Sequence, residues 1–153
     1  MKPSGSAGRP AALGLLAGGA LLTGLAGCGT SDLSTSQLRS GARLVCTAAA
    51  RRTNRIPLPS APSGEARFLT QGITVLTSEV RELDSLRSGN PTFRGAVIEV
   101  GDEVAALRFS LKGVRSGNDP VVAIKTLQQK LAPLEHRADQ AWNRLGITSC
   151  ADR

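Results

Sequence analysis

Four stretches of the chain repeat apolar residues at intervals of three and four positions, the spacing of one face of an α-helix. The third stretch, Pro91 to Arg115, has seven apolar residues in strict alternation, and the fourth, Pro120 to Leu145, keeps the same spacing. The second is predicted from Gly64 to Arg87. The first, from Leu33 or Gln37 to Asn54, has the weakest apolar pattern. Their apolar positions are Leu38, Ala42, Val45 and Ala49; Leu69, Ile73, Leu76, Val80 and Leu83; Phe93, Val97, Val100, Val104, Leu107, Leu111 and Val114; and Ile124, Leu127, Leu131, Leu134, Ala138, Ala141 and Leu145.

The connections between these stretches contain residues that end and begin helices. The run Arg-Ser-Gly-Asn occurs before both the third and the fourth stretch, and each of these stretches begins with a proline. Glycine suits the left-handed end of a helix, and proline suits the first turn of the next. Asp119 and Ser63 are predicted N-caps. The proline-rich segment 56–62 cannot continue a helix and is predicted to be extended.

Helices of similar length joined by tight turns favour an antiparallel arrangement. No segment of useful length alternates with a period of two, so we expect no sheet. The sequence therefore predicts an all-α, up-and-down four-helix bundle. Gly146 ends the fourth helix, and the tail after it is predicted to fold back toward the first helix.

The first 27 residues have the features of a secretory signal: Lys2 and Arg9, then an uncharged run from Ala11 to Gly27. The run Leu25-Ala26-Gly27-Cys28 resembles the lipobox of bacterial lipoproteins, a resemblance that covers residues 1–28. With a helical domain after the lipobox, the chain is similar in type to the small envelope lipoproteins of high-GC Gram-positive bacteria. The resemblance implies cleavage before Cys28, acylation of its sulfur, and retention at the extracytoplasmic face of the cell membrane. It implies no activity.

This assignment divides the chain into a signal peptide (1–27), a flexible tether (28–36) and a helical domain (37–153). With Cys28 carrying lipid, Cys46 and Cys150 remain, in a compartment where disulfides persist. We expect these two to form the one disulfide that closes the bundle. Two unpaired thiols are the alternative.

The sequence contains no recognisable catalytic arrangement. His136 is the only histidine and is expected to face solvent, as are Glu99 and Asp102, with Glu103 beside the apolar stripe. Two cysteines and one histidine do not have the spacing of a zinc site. We therefore expect no enzyme activity, no metal and no cofactor.

Candidate surface contacts are Arg51, Arg52 and Arg55, with Trp142 as a candidate anchor if it does not pack under the tail. Residues 28–153 carry 17 basic and 12 acidic residues, a net charge of +5. The arginines could contact anionic lipid, a wall polymer or an envelope protein, or could simply stabilise the C-terminal end of their helix. Nucleic acid is not expected, because the chain has few aromatic residues for stacking on bases.

The expected function is a non-enzymatic interaction or scaffold module of the cell envelope. The alternative is a carrier that binds a small apolar ligand between the helices near Pro133, where a proline inside the fourth helix is predicted to bend it.

The lipid anchor can be tested by the substitution Cys28→Ser, which removes the sulfur that would be acylated. We expect the protein to be released from the membrane or to remain unprocessed, as measured by fractionation and by the mass of the chain. Normal cleavage together with unchanged membrane retention would contradict the lipoprotein assignment.

Overall fold

A computed structural model describes residues 32–151 and shows an all-helical chain over that range. The helices are α1 (Thr35–Thr53), α2 (Glu65–Asp84), α3 (Pro91–Arg115) and α4 (Pro120–Leu145). One 3-10 turn (Pro62–Gly64) precedes α2, and another, which we call the tail turn (Thr148–Cys150), follows α4. The predicted fold class is confirmed, and α3 and α4 begin and end at the predicted residues.

Contacts between the helices show that sequential neighbours run antiparallel. Between α2 and α3, Arg108 donates to Thr77 and Arg115 donates to Thr70, so one helix descends as the other rises. Between α3 and α4 the corresponding contacts join Glu99 to Arg137 and Ser110 to Ala123. Helix α1 packs on α2, and the tail turn packs on both α1 and α4.

Side-chain caps explain where three of the helices begin. Asn90 Oδ1 accepts hydrogen bonds from the first amides of α3, and Asp119 Oδ1 does the same for α4 at 2.8 and 3.2 Å. Ser34 and Gln37 form a reciprocal capping box at the start of α1. The last two residues assigned to the tether, Thr35 and Ser36, therefore belong to α1.

Both predicted ends of α2 were wrong. Ser63 lies within the 3-10 turn, so Gly64 is the N-cap of α2 and offers no side-chain bond. Helix α2 ends at Asp84 rather than Arg87. Arg87 itself adopts the left-handed conformation (φ +41°), the role predicted for Gly89. The expected glycines do adopt positive φ after the other two helices, at Gly117 (+92°) and Gly146 (+69°).

The larger of two core clusters surrounds Trp142. All four helices and the tail contribute to it, and its aromatic centre is an edge-to-face pair of Phe93 and Trp142 with ring centroids 5.7 Å apart. Such pairs add about 0.5–1.5 kcal/mol to the effect of burial. Ile147 in the tail is fully buried here, and its amide donates to the Trp142 carbonyl.

A disulfide joins α1 to the tail turn. Cys46 and Cys150 are bonded, with Cα atoms 5.0 Å apart, and both are fully buried. Nearby, Arg39 Nε donates to the carbonyl oxygen of Leu145 at 2.6 Å and so satisfies the C-terminal end of α4 from α1. The predicted disulfide is confirmed, and it encloses a separation of 104 residues.

The second core cluster consists of four buried leucines from α2, α3 and α4. They are Leu69, Leu107, Leu111 and Leu127, and the partly buried residues packed on them also come from these three helices. This end of the described bundle therefore has a core built by three helices, whereas the end with Trp142 has four helices and the tail.

Reduction of the disulfide should destabilise the bundle. Loss of a native disulfide in a small exported domain costs about 2–5 kcal/mol. We expect the guanidinium unfolding midpoint of residues 29–153, which include the whole described bundle, to fall on reduction. Fluorescence of Trp142, the one tryptophan of the chain, reports the transition.

The matched control is the double variant Cys46→Ala/Cys150→Ala, whose midpoint should not respond to reductant. An unchanged midpoint for the reduced wild-type chain would show that the bond contributes little to stability.

Candidate interaction surface

The structure separates the three arginines of the predicted basic cluster. Arg52 Nη2 lies 3.0 Å from Glu82 Oε1, and Arg52 Nη1 donates to Ser78 Oγ at 3.0 Å. Arg52 therefore links α1 to α2, whereas Arg51 and Arg55 are exposed. Arg51 and Arg55 therefore lie at the surface, as a contact with a partner would require, whereas Arg52 has a structural role.

The same network changes the acidity of Glu82. Ser78 Oγ donates to Glu82 Oε1 at 2.7 Å, and the guanidinium of Arg52 lies on the same carboxylate. The hydrogen bond from Ser78, followed by the hydrogen bond and charge of Arg52, lowers the pKa of Glu82 below its ordinary value. The carboxylate is therefore ionised wherever an ordinary glutamate would be.

Trp142 is not a surface contact. Its side chain is fully buried against Phe93 and clusters with Ile147, so it packs under the tail, as one of the two predicted positions had it, and the alternative of a surface anchor was wrong. The physical reason is the tail, which turns at Gly146 and places Ile147 on the tryptophan.

The polar residues considered for chemistry do not form a common site. His136 is exposed, with its Nε2 2.9 Å from Gln140 Nε2, and Glu99 is paired with Arg137 at 2.8 Å. Glu103 is buried, although it was expected only to lie beside the apolar stripe. Within residues 32–151 no three His, Cys, Asp or Glu side chains are placed to hold a metal ion.

Two further findings concern the membrane. The predicted signal peptide, Cys28 and the first residues of the predicted tether lie outside the described residues, so the lipid anchor stays a prediction. In the described part of the chain, no helix combines the length and the apolar character needed to cross a bilayer.

A groove with a mostly apolar lining lies between the C-terminal half of α3 and the N-terminal half of α4. We call it the α3–α4 groove. Its volume is about 310 Å³, and exposed side chains on both helices border it, so it opens to solvent. Small residues lie between larger ones along it; its defining residues are Ala106, Phe109, Val122, Ala123, Thr126 and Lys130.

Phe109 and Lys130 face each other across this groove. The Phe109 side chain is 66% exposed, and the ammonium of Lys130 lies 4.2 Å from the centre of its ring. A cation over an aromatic face contributes about 0.5–1 kcal/mol at an exposed site. Val121 and Val122 are similarly exposed at the start of α4. The groove thus combines an uncovered apolar surface with a positive charge.

The end of the groove is shaped by the α3–α4 turn. The Asn118 amide donates to the Gly113 carbonyl, and a Cβ at position 113 would lie 2.9 Å from Asn118 Nδ2. A larger residue at Gly113 would therefore displace the side-chain amide of Asn118. At the floor, Ser110 Oγ donates to the carbonyl of Ala123 at 3.3 Å.

The helical stripes of the sequence did not indicate this groove. Phe109, Val121 and Val122 are large apolar residues outside the helical stripes. Their position away from the predicted core was the one sign in the sequence of an apolar surface here. The predicted carrier site was placed near Pro133, which does not line the groove. The groove lies on the N-terminal side of Pro133, toward the α3–α4 turn.

No family, curated protein or solved structure matches the chain significantly.

The separate role of Arg52 gives a stability prediction. Arg52→Ala should lower the free energy of unfolding by about 0.2–1 kcal/mol at neutral pH, the usual range for a partly exposed ion pair. Because the pKa of Glu82 is lowered in the fold, this contribution is complete above the unfolded pKa and is lost as the pH falls through the folded pKa.

The difference between wild type and Arg52→Ala, measured by chemical denaturation, should therefore shrink in acid. The exposed Arg51→Ala serves as the control and should remain close to wild type. An equal effect of the two substitutions would contradict the role assigned to Arg52.

Proposed function

We propose that this chain is a lipid-anchored, non-enzymatic interaction module of the cell envelope, and that it binds its partner through the α3–α4 groove. The observation that carries the proposal is the exposure of Phe109 and Val122, which line a concave surface, with Val121 exposed next to Val122 in the chain. Contiguous exposed apolar surface on a soluble domain is a recognised mark of an interaction site.

The position of the groove suits a module tethered at its N-terminus. Helix α1 begins at the end of the bundle that contains Phe93 and Trp142, whereas the groove borders the second core cluster at the other end. Helix α3 has 25 residues, a length of about 37 Å at 1.5 Å per residue. In this proposal, the end with α1 faces the membrane and the groove faces the extracytoplasmic space.

A carrier function is the second candidate, supported by the volume of the groove. Ligand sites for small molecules usually enclose about 300–1,000 Å³, and the α3–α4 groove lies at the lower end of that range. Native mass spectrometry of residues 29–153 exported by a related bacterium distinguishes the two. A retained small-molecule mass would favour the carrier, and a bare chain would favour the module.

Site-specific photocrosslinking in cells tests the module directly. A photoreactive phenylalanine analogue at Val122 lies in the groove; the same analogue at Ile98 is an equally exposed control on α3 outside it, at 63% against 62% exposure. We expect a discrete crosslinked protein from position 122 and none from position 98.

Absence of an adduct at position 122, or the same adduct from both positions, would contradict the proposal. Retention of each variant at the membrane and an unchanged unfolding midpoint establish that the comparison concerns folded, localised protein.

A further inference from the structure

Charged residues divide unevenly between the two halves of the described bundle. We define the far half as residues 51–77 and 106–130, which include the second core cluster and the α3–α4 groove, and the near half as the rest of 32–151. The far half has nine basic and two acidic residues, whereas the near half has seven basic and nine acidic residues. The far-half cations are Arg51, Arg52, Arg55, Arg67, Arg108, Lys112, Arg115, Lys125 and Lys130; its acids are Glu65 and Asp119.

The contacts of the far-half cations leave this excess charge in place. Arg52 pairs with Glu82 across the boundary between the halves, which neutralises one of the nine charges; the other eight cations are exposed and face only Glu65 and Asp119 as acids of the same half. Arg108 and Arg115 donate to threonine hydroxyls, which carry no charge. The far half therefore presents a positive field to solvent, and fields of this kind favour association with partners of opposite charge.

Exposed apolar side chains are concentrated in the same half. Of the six large apolar residues that are most exposed in residues 32–151, four belong to it: Leu58, Phe109, Val121 and Val122. Lys112 follows Phe109 by three positions, and Lys125 follows Val122 by three, a spacing that places each pair on one helix face. With Lys130 inside the groove, positive charge flanks the apolar surface on both helices.

We infer that the partner is an acidic protein segment carrying large apolar side chains, which fill the α3–α4 groove while its carboxylates meet the surrounding cations. The inference rests on the proposed function and names the chemistry of its partner. A hydrated polyanion would leave Phe109 and Val122 uncovered. Headgroups of the anchoring membrane would have to reach the end of the bundle remote from α1.

Selection of random peptides tests this chemistry without a known partner. A displayed library of peptides of about 16 residues is selected on residues 29–153, with Phe109→Ser/Val122→Ser as the counter-selection target. We expect the enriched peptides to have net negative charge and at least two large apolar residues. The synthetic form of the tightest peptide is then measured by fluorescence anisotropy.

For that peptide, Phe109→Ser should weaken binding by about tenfold or more, as expected for an aromatic residue at the centre of an interface. Lys112→Glu/Lys125→Glu should also weaken it, and high salt should act in the same direction because it screens exposed charges. The matched control Ile98→Ser, exposed in the near half, should leave the affinity unchanged.

Enrichment of neutral or basic peptides, or equal affinity for the Phe109→Ser variant, would overturn the inference. Equally tight binding of polyglutamate, or of phosphatidylglycerol vesicles, would assign the surface to a polyanion or to lipid headgroups and would also overturn it. If crosslinking from Val122 persists in either case, the proposed interaction module stands with a partner of different chemistry. If the peptide selection and the crosslinking from Val122 both fail, the proposed function itself is contradicted.

Discussion

The attachment of α1 to the tail through Cys46 and Cys150 is the constraint on which the near half of the bundle depends. The buried face of α1 consists of Leu38, Ala42, Cys46 and Ala49, which are mostly small. Because burial contributes about 0.8 kcal/mol per methylene, such a face adds little to stability by itself. The tail supplies what the helix lacks: Ile147 for packing and a covalent bond to α1.

The far half has no such reinforcement and shows a different character. Its core comes from three helices, and the outer seam between α3 and α4 contains Ala106, Gly113 and Ala123. Small residues along a seam leave a depression, and the larger Phe109 and Val122 border it. The same end carries the excess of positive charge. Structural stabilisation and candidate binding chemistry are thus separated along the length of the bundle.

The parts of the fold that could be predicted were those determined by local chemistry. Asp119 with Pro120 and the residues before Pro91 specify helix starts through side-chain caps and the fixed φ of proline, so α3 and α4 were predicted accurately. The end of α2 was not, because Arg87 adopts the positive φ expected of Gly89. The packing of Trp142 under the tail was foreseen from the turn at Gly146, although helical periodicity alone left a surface position for it open.

The candidate site was harder to predict because it is a property of two helices together. Phe109 and Val122 belong to different helices and lie off their stripes, and only the antiparallel pairing brings them to one groove. The three arginines of the predicted basic cluster do not form one surface, for a similar reason. Arg51, Arg52 and Arg55 are neighbours in sequence, yet Glu82 from α2 pairs with Arg52 alone among them.

The decisive measurement is hydroxyl-radical footprinting of the protein in intact envelopes, compared with purified residues 29–153. If a partner covers the α3–α4 groove, oxidation of Phe109 and Val122 falls in the envelope, while Leu44 and Ile98, also highly exposed in the isolated chain, are oxidised equally in both. Equal oxidation of the groove residues in both preparations, or protection confined to Leu44 and Ile98, would contradict this coverage of the groove.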